Sequence, residues 1–296
     1  DTHRGVKKRI DIHMIQQLTQ ESIALLDQLI ATPSTSRDEA ITADIIEAFL
    51  KARVRGKVER IHNNVFVRTP LWDDTRPTLL MNSHHDTVRP SASYTRDPYA
   101  PTHEEGRIYG LGSNDDGGSL VAMLHAFYKL AQTEQAYNLI FLASAEEEVS
   151  GKDGIESVLP MLPPISCAII GEPTGMNPAI AEKGLMVLDC TAEGKAGHAA
   201  REEGVNAIYK ALPDIEWLRS QEFERVSPLL GKVKMSVTQI QAGTQHNVVP
   251  DACTFVVDVR TNECYSNLEI LEEIQAHLQC KAQARSTRLN SSRIDA

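Results

Sequence analysis

Three short apolar runs in this chain each lead into residues that bind cations. Thr78–Ser83 (TLLMNS) runs into His84, His85 and Asp86, and Asn138–Ser144 (NLIFLAS) leads to Glu146, Glu147 and Glu148. Cys167–Gly171 (CAIIG) runs into Glu172 and Pro173. Apolar runs of this length read as strands. In open α/β sheets, ligands collect at the carboxyl ends of strands, so three such endings can converge in space. That pattern constrains the chain to an α/β sheet. The intervening segments agree. Asn64–Thr69 reads as a further strand and Ser119–Leu130 as a helix. Residues 12–30 place Ile15, Leu18, Leu26, Leu29 and Ile30 at helical spacing. A second helix is expected after Ser36, with Glu39 three residues on as a capping box and a stripe of Ile41, Ile45, Ile46, Phe49 and Leu50.

The character of the chain changes after Glu182. Leu185–Glu193 reads as a strand, Glu203–Arg219 as a helix, and Lys232–Gln241 and Val248–Thr261 as strands. Asn267–Leu278 reads as a helix and Lys281–Arg285 as a last strand. This βαββαβ order is that of a ferredoxin-like domain. The expected organisation is a metal-binding catalytic domain over 1–182 and a second domain over 183–287. The polar tail 288–296 begins a return toward the first domain.

A fourth cation-binding candidate, Asp115, lies in the glycine-rich loop YGLGSNDDGG (109–118), which feeds the N-terminus of the next helix. Imidazole with carboxylates suits zinc, and also manganese or cobalt. No cysteine joins the set, so the site reads as catalytic, with open positions, and not as a closed zinc finger. An aspartate can bridge two ions about 3.5–4 Å apart. Taken singly, each element is ordinary: a structural histidine, a solvated run of glutamates, a turn with a helix cap. Their order along the chain makes one cluster.

The formal net charge of −10 argues against a nucleic-acid partner. No stretch approaches the roughly 18 apolar residues of a membrane span. The basic segment Asp1–Ile10 is followed by no apolar signal core. Five cysteines without CxxC spacing read as reduced thiols of a cytoplasmic protein, with Cys167, Cys190 and Cys253 in the core.

With these residues in hand, the chain resembles the M20 metallopeptidase family, which includes acetylornithine deacetylase, succinyl-diaminopimelate desuccinylase, aminoacylases and carboxypeptidases. The motifs that carry the resemblance are SHHDTV (83–88), YGLGSNDDGG (109–118), SAEEEVSG (144–151), GEPT (171–174), GKAGHAA (194–200) and NVVPDACTFVVDVR (247–260). The resemblance implies a zinc-peptidase-like catalytic domain, with a mixed sheet flanked by helices, and an inserted lid and dimerisation domain. It implies two divalent metal ions. His84, Asp115 and Glu172 would hold the first, and Asp115 would bridge to a second held by Glu148. Glu147 would be the general base, and Asp86 would orient His84. His198 would reach the active site of a partner subunit to stabilise the oxyanion. Asn247 and Arg260 would bind the substrate carboxylate.

The implied reaction is metal-dependent hydrolysis of the amide bond of an N-acyl amino acid, with wording closest to the acetylornithine deacetylases of arginine biosynthesis. A dipeptidase or aminopeptidase with the same metals is the first alternative. Leu111 and Asp116 replace frequent basic residues of the glycine loop, and Arg201 stands where a proline is common. Family members run further and supply a late histidine to the second metal. His246 and His277 fall inside the second domain and do not fit that role. The sequence therefore reads as C-terminally truncated, with the second metal site weakened. A non-catalytic dimerisation module is the remaining alternative.

Overall fold

The computed structural model describes residues 12–294. It divides into two compact units that meet between Met176 and Asn177. The basic segment Asp1–Ile10 lies outside the described residues.

The first unit is built on a five-stranded mixed sheet. Helices α1 (Ile12–Ile30) and α2 (Ala40–Arg53) precede β1 (Val58–Ile61), β2 (Asn64–Arg68) and β3 (Thr78–His84). A short hairpin, β4 (Thr102–Glu104) and β5 (Arg107–Tyr109), leads to α3 (Gly117–Leu130). Then come β6 (Asn138–Ser144), a 3₁₀ turn at Glu147–Val149, the short helix α4 (Ile155–Val158) and β7 (Cys167–Ile170). The sheet order is β1-β2-β6-β3-β7. Strands β6 and β7 both run parallel to β3, and β2 runs antiparallel to β6. Every residue of the central strand β6 is buried, as its unbroken apolar run requires.

One face of the sheet packs against α1, α2 and α3 through Leu26, Leu29, Ile46, Leu50, Leu120, Leu124 and Phe127. The other carries Phe66, Leu80, Ile140 and Leu142 against Val158. On α2 the buried stripe is Ala43, Ile46 and Leu50, and Ile41 faces solvent at 60% exposure. The helical period accounts for this, because position 41 falls roughly half a turn from 43 and 46. Ser36 and Glu39 do not form the expected capping box. Glu39 occupies the N-cap position without a side-chain cap bond, because both side chains are engaged elsewhere, as described below.

The second unit follows the expected ferredoxin-like order. It comprises β8 (Ala181–Glu182), β9 (Gly184–Glu193), β10 (Gly197–His198), α5 (Ala207–Ser220), β11 (Lys234–Ala242) and β12 (Val248–Val249). These are followed by β13 (Ala252–Thr261), α6 (Asn267–His277), β14 (Lys281–Ala284) and β15 (Ser292–Arg293). The antiparallel sheet has the order β11-β13-β9-β14. Its inner face, with Leu188, Cys190, Phe255 and Val257, packs under Ala211, Leu218, Ile270 and Ile274 of α5 and α6. The single strand expected over 248–261 breaks at Pro250, which cannot donate to a ladder. Helix α5 starts at Ala207 and not at Glu203, because Asn206 accepts the Ile208 amide and caps it.

Cys190 and Cys253 are buried as expected, and all five cysteines are free. Cys167 is exposed. Its apolar run forms β7, a strand at the edge of the sheet with all four residues exposed. No helix of the described residues is long and apolar enough to cross a membrane.

Candidate metal centre

The parallel register brings the three strand endings level. His84 pairs with Ser144, and Asn82 pairs with Ile170, so Glu172 extends β7 to the height of His84. His84 is buried. Its Nδ1 lies 3.0 Å from the Asp86 backbone carbonyl and 3.5 Å from the Asp86 carboxylate. Donation from Nδ1 to that carbonyl leaves Nε2 free to act as a ligand. Nε2 faces Asp115 Oδ1 at 3.1 Å and Glu147 Oε2 at 3.9 Å. His84, Asp115 and Glu148 each offer a ligand atom, and these atoms lie within 4.8 Å of one another. Glu172 stands outside that set, although its charge is felt at the site. His85, by contrast, is a structural residue. It is buried between Thr42 Oγ1 and the Asn63 carbonyl, and burial holds it down to about 4, so the ring is neutral.

The loop that carries Asp115 is fixed by two glycines. Gly112 has φ +73°, and its carbonyl accepts the Gly117 amide at 2.8 Å. A Cβ on Gly117 would come within 2.5 Å of that carbonyl oxygen and 2.7 Å of Leu26, so only glycine lets the loop close onto α1. Asp116 follows at the N-cap of α3 but does not cap it. Its carboxylate is buried and hydrogen-bonded to Ser83. In the sequence, Asp116 reads as part of a turn with a helix cap and as a departure from the family pattern. The run of two aspartates before two glycines reads as a turn and carries no signal of burial.

The site is crowded with negative charge. Burial would push His84 down, but the hydrogen bond and charge of Asp86, with Glu147 and Asp116, hold it up at about 10. Burial raises Glu172 to about 7; Asp116, Glu147 and Asp115 add to that, against the opposing pull of His84. Glu147 and Glu148 are raised, first by burial and then by the neighbouring carboxylates. Asp86 is lowered despite burial, because His84, Ser36 and the Glu147 amide bond its charged form. One imidazole among this many carboxylates is a donor set suited to divalent cations.

Each raised pKa marks stability that is complete below the group's ordinary value and lost as pH rises through the folded one. For Glu172 that window runs from 4.5 to about 7, and for His84 from 6.5 to about 10. The metal-free chain is therefore expected to weaken across both windows. A cation bound through His84 needs that imidazole deprotonated. Binding of a divalent cation through His84 at pH 7 is then expected to release about one proton, the one that His84 carries in the metal-free chain. Calorimetric titrations in buffers of different ionisation enthalpy measure this, and zero release would contradict the charge balance.

The remaining candidates lie in the second unit. His198 is exposed and pairs with Val248 across β10 and β12. The Ala199 amide donates to the Asn247 carbonyl at 2.9 Å, so His198 and Asn247 share one loop pair. Arg260 is apart from them. It lies near the far end of β13, beside Leu185, and its guanidinium bonds Asp258 at 2.9 and 3.1 Å.

Comparison with known proteins gives two matched segments. Residues 180–285 match a peptidase dimerisation domain of M20 type, and residues 64–159 match peptidase family M28. The chain is 28% identical over 268 residues to a succinyl-diaminopimelate desuccinylase from Paracidovorax citrulli, covering 82% of this chain and 68% of that protein. It is 32% identical over 192 residues to an acetylornithine deacetylase from Pectobacterium carotovorum, covering 62% of this chain. The match spans half the length of that relative. Among solved structures, a dinuclear metal-binding peptidase from Bacillus subtilis superposes with TM-score 0.68 at 19% identity, over 95% of this chain and 77% of that one.

Proposed function

We propose that the chain, whose residues 180–285 match an M20 peptidase dimerisation domain, is a member of the M20 family of metallopeptidases and serves the metal-dependent hydrolysis of the amide bond of an N-acyl amino acid. The substrate class resembles N-acetylornithine, and the products are the free amino acid and a small carboxylic acid. The observation that carries this reading is the convergence of His84, Asp115 and Glu148 with Glu147 beside them.

His84, Asp115 and Glu172 would hold one divalent ion, zinc in this reading, and Asp115 and Glu148 a second. Bound ions supply polarisation of the amide carbonyl and acidification of water. The protein's own part is proton movement and orientation. Glu147, half-exposed and with its carboxylate 3.9 Å from His84 Nε2, takes a proton from water and delivers it to the leaving amine. Asp86 fixes the ring of His84. His198, from the partner of a homodimer formed through the second unit, donates to the developing oxyanion. Asn247, which shares its loop pair with His198, and Arg260, near the far end of β13, would hold the substrate carboxylate from different protomers, and Arg260 would exchange Asp258 for it. In this reading the protein works in the cytoplasm, in amino-acid biosynthesis.

A panel of N-acetyl and N-succinyl amino acids against dipeptides, with zinc, cobalt or manganese added, tests the reading. Turnover of N-acetyl-L-ornithine or N-succinyl-diaminopimelate above all dipeptides is expected. Preference for dipeptides would move the assignment to a peptidase. No turnover with any metal would leave a binding or dimerisation role.

A further inference from the structure

The segment after β6 shows how the two site glutamates are aimed. Four consecutive amides leave the strand end, and each is bonded by a side chain from another element. Ala145 N–H donates to Asn64 Oδ1 at 2.9 Å, and Glu146 N–H to Glu39 Oε1 at 3.0 Å. Glu147 and Glu148 N–H donate to the two oxygens of Asp86 at 3.0 and 3.2 Å. Ser36 Oγ donates to the same Asp86 carboxylate at 2.7 Å.

The turn needs this support. Its 3₁₀ element has three residues, and its own N-cap makes no side-chain bond. Glu146 adopts the left-handed region, with φ 55° and ψ 26°. Such a conformation persists in a non-glycine residue only where the surroundings over-determine it. Glu39 is the costly member of the set. It is fully buried, its Oε2 has no hydrogen-bond partner, and burial raises its pKa. It does not cap α2, at whose N-terminus it sits. An apolar side chain there would avoid the cost of a buried, half-satisfied carboxylate. Local helix stability therefore does not account for Glu39.

We propose that Glu39 is a positioning residue, whose carboxylate anchors the strained Glu146 peptide and thereby sets where Glu147 and Glu148 point. The anchor is itself held. Thr42, in the first turn of α2, contacts His85 Nδ1 at 2.9 Å, and His85 Nε2 contacts the Asn63 carbonyl at 2.9 Å. The start of α2, the β1–β2 turn and the end of β3 thus form one layer beneath the turn. This inference rests on the reading of Glu147 and Glu148 as base and metal ligand.

The test compares Glu39→Gln, which keeps an acceptor at the same reach, with Glu39→Asp, which keeps the charge and withdraws it by one methylene. Zinc affinity is measured by calorimetry, and the visible spectrum is recorded with cobalt(II) in place of zinc. Loss of an outer-layer partner typically costs about 10- to 100-fold in metal affinity. Glu39→Asp is expected to lose at least that tenfold and to shift the cobalt spectrum. Glu39→Gln is expected to stay within about threefold of the parent, with the parent spectrum. Equal affinities in the parent and both variants, or a weaker Gln than Asp, overturn the proposal. Should Glu39→Asp fail to fold, Glu39→Ala, which removes the acceptor, takes its place: a tenfold loss in Glu39→Ala with retention in Glu39→Gln supports the proposal, and equal affinity in Glu39→Ala or a tenfold loss in Glu39→Gln overturns it. A parent chain that takes up neither ion overturns the metal reading and this inference together; a parent that binds while Glu39→Asp binds as tightly overturns the role of Glu39 alone.

Discussion

Glu147→Gln is expected to lower turnover by about 10²- to 10⁴-fold with metal content unchanged, the range for loss of a general acid–base group. At about 1.4 kcal/mol per tenfold, that is roughly 3–5 kcal/mol of transition-state stabilisation. The geometry separates the two effects. Glu147 lies 3.9 Å from His84 Nε2, and it is not among the residues whose ligand atoms cluster most closely. Its amide is held by Asp86, so an isosteric side chain leaves the backbone of the turn in place. A base must be ionised, and burial raises Glu147. Activity should therefore fall on the acid side as Glu147 takes up a proton, and the residual activity of the variant should lack that limb. The kinetic constants and zinc content of parent and variant, taken on one preparation, check this. A variant retaining most of its turnover would remove Glu147 from the chemistry, and one that loses zinc would make it a ligand.

The position of Glu147 was legible because strand endings are a long-range signal written in local sequence. The runs at Thr78 and Asn138 each lead to a site residue, and parallel pairing alone makes them converge. Four things were harder to read. Ser36 and Glu39 have capping-box spacing, and spacing alone cannot show that both side chains serve residues far along the chain. An apolar run such as CAIIG reads as buried, yet β7 lies at a sheet edge and leaves Cys167 exposed. Strand β1 (VERI) mixes charge with apolar residues and carries no run to find. Arg260 was legible as a strand-end charge, but not its pairing with Asp258, two residues back on the same face. In the second unit the pattern of alternation was enough to read the order of elements. The break at Pro250 follows from its missing amide.

Asp115→Asn is expected to have the largest effect on metal binding, because Asp115 is the residue read as shared by both ions. It contributes the ligand atom nearest to His84, at 3.1 Å, and lies in the cluster with Glu148. Loss of outer-layer partners costs about 10- to 100-fold in affinity, so loss of this ligand should exceed about 100-fold and take turnover with it. The same substitution should have little effect on the metal-free chain. Asp115 is one of the charges that raise Glu148 and Glu172. A neutral amide there relieves like-charge repulsion but gives up the ion pair with the protonated His84 at 3.1 Å, so the metal-free variant should unfold close to the parent temperature. Zinc separates the two proteins. A ligand present at about 100 times its Kd stabilises by about 2.7 kcal/mol, which corresponds to a rise of roughly 5–10 °C for a unit of this size. The parent should show that rise, and Asp115→Asn should show almost none at the same zinc concentration. Thermal unfolding with and without zinc measures both effects. A variant that gains as much as the parent would place the ion elsewhere, and a metal-free variant far less stable than the parent would make Asp115 a structural residue of its loop.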